Sequence, residues 1–314
     1  MYPFTRTPLV LSGALVALLV LLATAPLYLP YYTVILLTSI FMYIIITVSW
    51  TMFSAPTGYI SLASAAFFGV GVYTSALAAS SAPLPAVILG GGLASSCAAL
   101  ITGAVTLRLR GTYFVMFTFG LVELLLNFVL WYEVNVTGTT GRVVPTVSNT
   151  TVYYVLLAIL VTALITAYFL RRSRYGLALR SIGENEEAAA HTGINITLLK
   201  VVVFSVSAFF MGAAGAIMAT RWTYIDPKIA FNPLISFMPV LMAIFGGMGQ
   251  LYGAVIGAAI FTYLEEFLVT RFPYQYMLIF GIIMVVAILY LPEGLVGLMR
   301  KCWMRISGGE RADT

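Results

Sequence analysis

Apolar blocks of about twenty residues recur along the chain, separated by short polar or proline-marked turns. A helix rises 1.5 Å per residue and needs roughly 20 apolar residues to cross a bilayer's hydrocarbon core. The pattern therefore predicts membrane-spanning helices over residues 9–29, 31–53, 85–107, 112–131, 151–170, 198–220, 251–270 and 274–291. Two blocks are less regular. Residues 58–73 alternate small residues with aromatics after the Pro56-Thr57-Gly58 break, and residues 236–245 are short, ending at a glycine-rich turn over 246–250. Counting both gives about ten spans. The first block is too long for the apolar core of a signal peptide, and Pro26 to Pro30 offers no small-residue cleavage site, so it reads as a span.

One polar interruption stands apart. Residues 171–200 hold Arg171, Arg172, Arg174, Arg180, Glu184, Glu186, Glu187 and the single histidine, His191. Charges at this density cost too much in hydrocarbon, so the segment belongs at a membrane surface. It also carries helix signals. Ser173 is placed to cap a short helix with a partial apolar face of Tyr175, Leu177, Leu179 and Ile182. Asn185 is placed to cap a second, with Glu186 and Glu187 in the first turn, where the dipole favours anions. Ala188, Ala189 and Ala190 favour helix, and Gly193 supplies a left-handed stop. Such a segment suits docking into a groove on a partner protein; equally, it suits a solvated basic loop that only fixes orientation.

Composition narrows the class. Hydrophobic residues make up 61% and charged residues 9%, against roughly 25% charged in soluble domains. The expected fold is all-α and polytopic, one transmembrane domain over residues 1–314 with a surface loop at 171–197 inside it. With ten spans, Arg6, Arg108, Arg110, Arg171, Arg172, Arg174, Arg180, Lys200, Arg300, Lys301, Arg305 and Arg311 fall on one side. Arg142, Arg221, Lys228 and Arg271 fall on the other. The positive-inside rule then puts both termini and the polar loop in the cytoplasm. The net charge of +5 thus reads as an orientation signal rather than a nucleic-acid surface.

Candidate chemistry is sparse. Cys97 and Cys302 form no spaced pair. No lysine follows the glycine pattern of a phosphate-binding loop, and one histidine supports no metal cluster. No catalytic constellation, metal site or cofactor site is expected, and His191 reads as a surface histidine. Glu123 lies inside an apolar span with Asn127 four residues on, sharing its face. A buried acid at such depth holds a packing hydrogen bond or faces a water-filled path. Ser61 and Ser64 sit in the small-residue segment, as helix-packing positions or beside a translocation path. Gly249, Gly253 and Gly257 recur every four residues, and Gly212 and Gly215 share another contact face. Glu265 and Glu266 read as marking a span's interfacial edge.

The string SRYGLALRSIGENEEAAAHTGIN over 173–195 contains Glu187-Ala188-Ala189, three residues, then Gly193. It resembles the EAA-x-x-x-G loop of permeases from ATP-binding-cassette (ABC) importers, in the version of branched-chain amino-acid permeases of the LivM type. Four further stretches are similar to that family: residues 58–73, residues 106–119, FGGMGQLYG at 245–253 and PEGLVGL at 292–298. The chain departs at Ala63 and Ser64, where the family has glycine and a larger polar residue, and TGTTG at 137–141 lacks a second family glycine. The resemblance implies an importer permease fold, with Arg180, Glu184, Glu187, Ala188, Ala189 and Gly193 on a loop that couples to an ATPase. It implies as partners a second related permease, two ATPase subunits and an extracytoplasmic binding protein. The expected cargo is a branched-chain or other hydrophobic amino acid, or urea or a short amide in related systems. An ion-coupled transporter using Glu123, Glu265 and Glu266 is the rival reading, followed by a membrane enzyme acting on lipid.

Overall fold

A computed structural model describes residues 8–109, 111–290 and 294–297. Arg6, Arg110, Arg300, Lys301, Arg305, Arg311, Cys302 and most of the PEGLVGL ending's flanks lie outside the described residues. The helices are α1 (Pro8–Tyr28), α2 (Tyr31–Thr57), α3 (Ser64–Ala78), α4 (Leu84–Thr106), α5 (Thr112–Tyr132), α6 (Asn149–Arg172), α7 (Arg174–Glu184), α8 (Glu186–His191), α9 (Ile196–Ala219), α10 (Pro227–Ala230), α11 (Leu234–Gly246), α12 (Leu251–Arg271) and α13 (Tyr276–Tyr290). Two short strands, β1 (Arg142–Val143) and β2 (Tyr224–Ile225), pair antiparallel. Among the described residues, seven helical stretches are long and apolar enough to cross a membrane.

Helix α9 is the most enclosed and packs against α2, α3, α4 and α6. In lipid no hydrophobic effect drives helices together, so association rests on close packing of small residues. Here α3, α4 and α9 meet through Gly71, Gly91, Gly212 and Gly215. A Cβ on Gly71 would overlap the Gly212 carbonyl, and one on Gly91 would come to 2.6 Å from the Ala216 Cβ. Ser95 Oγ donates to the Phe67 carbonyl at 2.8 Å across the same junction.

The segment expected as a helix from residue 58 is instead broken. Helix α2 ends where Gly58 adopts φ +72°, its N–H donating to the Ser54 carbonyl at 3.0 Å. The chain then turns back beside α2 as a non-helical leg over 59–63 before α3 begins. Irregular backbone at membrane depth is tolerated only where protein or a water-filled cavity satisfies it. Here side chains do so. Trp50 Nε1 donates to the Ser61 carbonyl at 2.8 Å, and the Leu62 N–H donates to Thr118 Oγ1 at 3.0 Å. The Ala65 N–H donates to Ser236 Oγ at 3.0 Å, so α3, which has no cap of its own at Ala63, is capped from α11. Trp50→Phe is expected to lower stability by about 1 kcal/mol, the net worth of one such bond, read as a lower melting temperature in detergent.

Helices α11 and α12 form the expected hairpin, with Gly253 and Gly257 at the contact but Gly249 outside it. Gly249 lies in the exposed turn before α12 starts, with open space where its Cβ would be. Gly246 on α11 takes that place, set against the backbone of Gly253 and Gly257. Gly294 rests against Gly247. At the opposite end of the bundle the loops are knit together. Glu133 is buried, accepts from the Gly141 N–H at 2.7 Å and pairs with Arg142 Nε at 3.6 Å. Tyr224 Oη donates to the Thr140 carbonyl at 2.5 Å beside the β1–β2 pairing. Sequence reading left both segments as loops.

Candidate functional site

The polar interruption folds onto one end of the bundle. Ser173 Oγ accepts from the Gly176 N–H at 3.3 Å and starts α7. Helix α7 lies on the helix ends beneath it through Gly176 and Gly183, whose missing side chains admit the Leu170 and Pro56 carbonyls. Its buried face is Gly176, Leu179 and Ile182. The wider face expected from sequence is corrected: Tyr175 and Leu177 are exposed, because they line an open groove between α7 and the helices α6 and α9 rather than the contact with α2. Asn185 Oδ1 then accepts from the Glu187 and Ala188 N–H groups at 3.0 and 3.1 Å and starts α8. Gly193, at φ +82°, turns the chain into α9.

The two helices divide their residues between inside and outside. Arg180, Glu184, Glu187, Ala188 and Gly193 are exposed, while Ala189 is buried. Arg180 and Glu184 border a recess of about 430 Å³ that also takes in Arg171, Pro56, Gly58, Met248 and Gly249. Arg171 Nη1 donates to the Gly249 carbonyl at 3.3 Å, tying the α11–α12 turn to this end. The ends of α2 and α6, the helices α7 and α8, and the 246–250 turn therefore share one face of the molecule.

Beneath that face sits a cluster that sequence reading missed. Lys200, in the first turns of α9, is 1% exposed. Its ammonium donates to Glu186 Oε1 at 2.7 Å, to Tyr59 Oη at 3.2 Å and to the Leu107 carbonyl at 3.4 Å. It also lies 4.3 Å from the Tyr59 ring centre. Tyr59 Oη donates in turn to Glu186 Oε2 at 2.9 Å. Sequence reading counted Lys200 among surface charges and gave Glu186 only a helix-dipole role. The available signal was a lone lysine near the start of an apolar helical window, fourteen residues after Glu186.

The other candidates lie apart from this cluster. Ser61 and Ser64 are buried beside the broken segment. With Trp50, Phe53, Ser54, Phe67, Phe204, Ser207 and Met211 they enclose a cavity of about 10 Å³, roughly the room of one water molecule. The Ser54 and Ser64 hydroxyls have no protein hydrogen-bond partner there. Glu123 and Asn127 sit on the exposed side of α5 and are not drawn into the bundle. Asn127 Nδ2 donates to the Glu123 carbonyl at 2.8 Å, one turn back on the same helix. They follow a stripe of exposed residues, Tyr113, Met116, Phe117 and Gly120, and precede Phe128 and Trp131. Glu266 accepts from Tyr32 Oη at 3.0 Å. Geometrically, the described residues offer an exposed, charged surface with a buried ionic cluster under it.

A family profile described as the branched-chain amino acid transport system permease component matches residues 32–288. The high-affinity branched-chain amino acid transport system permease protein LivM of Salmonella typhimurium is 28% identical, covering 95% of this chain and 78% of that one. LivM of Escherichia coli K12 is also 28% identical, over 91% of this chain and 75% of that one. The permease protein BraD of Pseudomonas aeruginosa is 29% identical over 41% of this chain and 42% of its own length. No solved structure gives a significant match.

Proposed function

The chain belongs to the family of branched-chain amino acid transport system permease components, and from that premise we propose that it is the transmembrane subunit of an ABC importer. The observation that carries the reading is the capped pair α7–α8, built onto the ends of α2 and α6 with Arg180, Glu184 and Glu187 turned outward. ATP hydrolysis resides on separate ATPase chains that receive α8 through Glu187 and Ala188, with Arg180, Glu184 and Gly193 beside it; Ala189, expected at the same contact, is instead buried and holds α8 against the bundle. A second permease subunit and an extracytoplasmic binding protein complete the assembly. The cargo is a branched-chain or similarly hydrophobic amino acid, in line with the transport system of the LivM relatives.

The single transmembrane domain crosses the cytoplasmic membrane ten times. The seven long helical stretches count with α1, the leg-plus-helix unit over 58–78, and α13. Both termini and α7–α8 are cytoplasmic, which agrees with the arginines gathered at that end. Glu123 and Asn127 face the second permease subunit and the path between the two chains. A carboxylate on an exposed helix face within a span is too costly against lipid.

The test is affinity purification of the tagged chain from its native membrane. Recovery of a second permease and ATPase chains supports the reading; a chain that emerges alone, with uptake abolished by a proton ionophore, overturns it. A sharper expectation concerns α8. Glu187→Lys reverses an exposed charge, and Gly193→Val forces a β-branched residue into φ +82°, a conformation that costs roughly 1–2 kcal/mol for side chains with a Cβ. Both variants are expected to reach the membrane, keep ATP hydrolysis and lose uptake by about tenfold or more, within the range of allosteric couplings. Normal uptake in both sinks the docking assignment.

A further inference from the structure

The Lys200 ammonium has three N–H donors and three oxygens to receive them, on Glu186, Tyr59 and Leu107. The Tyr59 hydroxyl closes the figure by donating to Glu186. The corners belong to different elements. Glu186 is on α8; Lys200 is on α9; Tyr59 is the first residue of the non-helical leg after Gly58. Leu107 adds the end of α4.

No helical ladder spans 59–63, so the leg holds its place through bonds to other elements rather than its own. Its far end is fastened elsewhere: Leu62 to Thr118 on α5, and Ala65 at the start of α3 to Ser236 on α11. A shift of α8 therefore acts first on Tyr59, and a shift of Tyr59 acts on a strap joined to α5 and α11. Helix α5 is the one that presents Glu123 and Asn127 outward.

We propose that the Tyr59–Glu186–Lys200 triangle is the joint through which α8 drives the 59–63 leg, with Glu186 and Lys200 acting as positioning residues. The proposal rests on the reading of α8 as an ATPase-docking helix. A bare structural salt bridge makes a different prediction. Removing one partner of a buried pair strands a charge, whereas replacing both with apolar residues is often neutral for stability. The double variant Glu186→Ala with Lys200→Met thus separates the two roles.

The experiment uses the complete complex with its ATPases in proteoliposomes, in a Cys97→Ser, Cys302→Ser background carrying Ser61→Cys as a reporter. The rate of thiol labelling is compared between nucleotide-free and vanadate-trapped states. With the triangle intact the two rates are expected to differ by about fivefold or more, the lower range of allosteric couplings. The double variant is expected to lose that difference while ATP hydrolysis continues. Lys200→Arg, which keeps charge and donors, is expected to retain it. A double variant that still shows the nucleotide-dependent difference, or an intact triangle that never shows it, overturns the proposal. Failure of any ATPase to co-purify is a separate result, which removes the docking premise itself.

Discussion

Gly71→Val is expected to leave little folded permease to purify. Helices α3 and α9 cross where Gly71 meets Gly212, and a Cβ at residue 71 would fall on the Gly212 carbonyl. The obstacle is backbone, so no rotamer change relieves it. Relief requires separating α3 from α9, which also opens the neighbouring contacts of Gly91 with Ala216 and of Gly215 with the Phe68 carbonyl. Overpacking a well-filled core costs about 1–3 kcal/mol when side chains can yield, and occasionally more; with two backbones in contact the upper end applies. Gly281→Val on α13 is the control, because among the described residues nothing lies within 4 Å of where its Cβ would be. It is expected to shift stability by no more than about 0.5 kcal/mol. The measurement is the yield of monodisperse protein on size exclusion together with the melting temperature in detergent. Equal yields for the two variants would show that the glycine junction does not hold the bundle.

Much of this architecture was legible because lipid imposes one dominant rule: a spanning helix must be long and apolar. The blocks over 85–107, 112–131, 151–170 and 198–220 fall within a few residues of α4, α5, α6 and α9. Capping chemistry is equally local, so Ser173, Asn185 and Gly193 stand where their residue types predict. Three features were hidden for physical reasons. The break at residues 58–63 depends on Trp50, Thr118 and Ser236 supplying hydrogen bonds from distant positions, and no local pattern announces such partners. The α11–α12 contact uses Gly246 rather than Gly249, since the face of a hairpin is set by where the turn falls. Lys200 was assigned to the surface because charge counting treats every lysine as solvated, whereas this one is enclosed by its own acceptors. The docking roles of Arg180, Glu184 and Glu187 rest on resemblance to the family, because exposed charges have no geometry that names their partner.

Thr118→Val and Ser236→Ala together are expected to destabilise the permease more than almost any other conservative pair. Each substitution removes only an oxygen that accepts from leg or helix-start backbone, leaving side-chain volume nearly unchanged. The Leu62 and Ala65 N–H groups then stay buried without an acceptor in a region where water is scarce. An orphaned buried donor costs about 1–3 kcal/mol, and the hydrocarbon setting pushes toward the upper figure. The two bonds share no atom and lie on different helices, so their effects should be roughly additive. Thr118 carries a second consequence. Its hydroxyl also bonds back to the Phe114 and Val115 carbonyls within α5, so it fixes the leg to the helix that bears Glu123. Losing that tether while α8 and its caps remain intact should weaken uptake more than ATPase association. Melting temperature in detergent, followed by uptake and ATPase co-purification in the same variants, reads both effects. If the double variant melts within a degree or two of the parent, the leg does not depend on those two acceptors, and the route from α8 to α5 would have to run through side-chain packing instead.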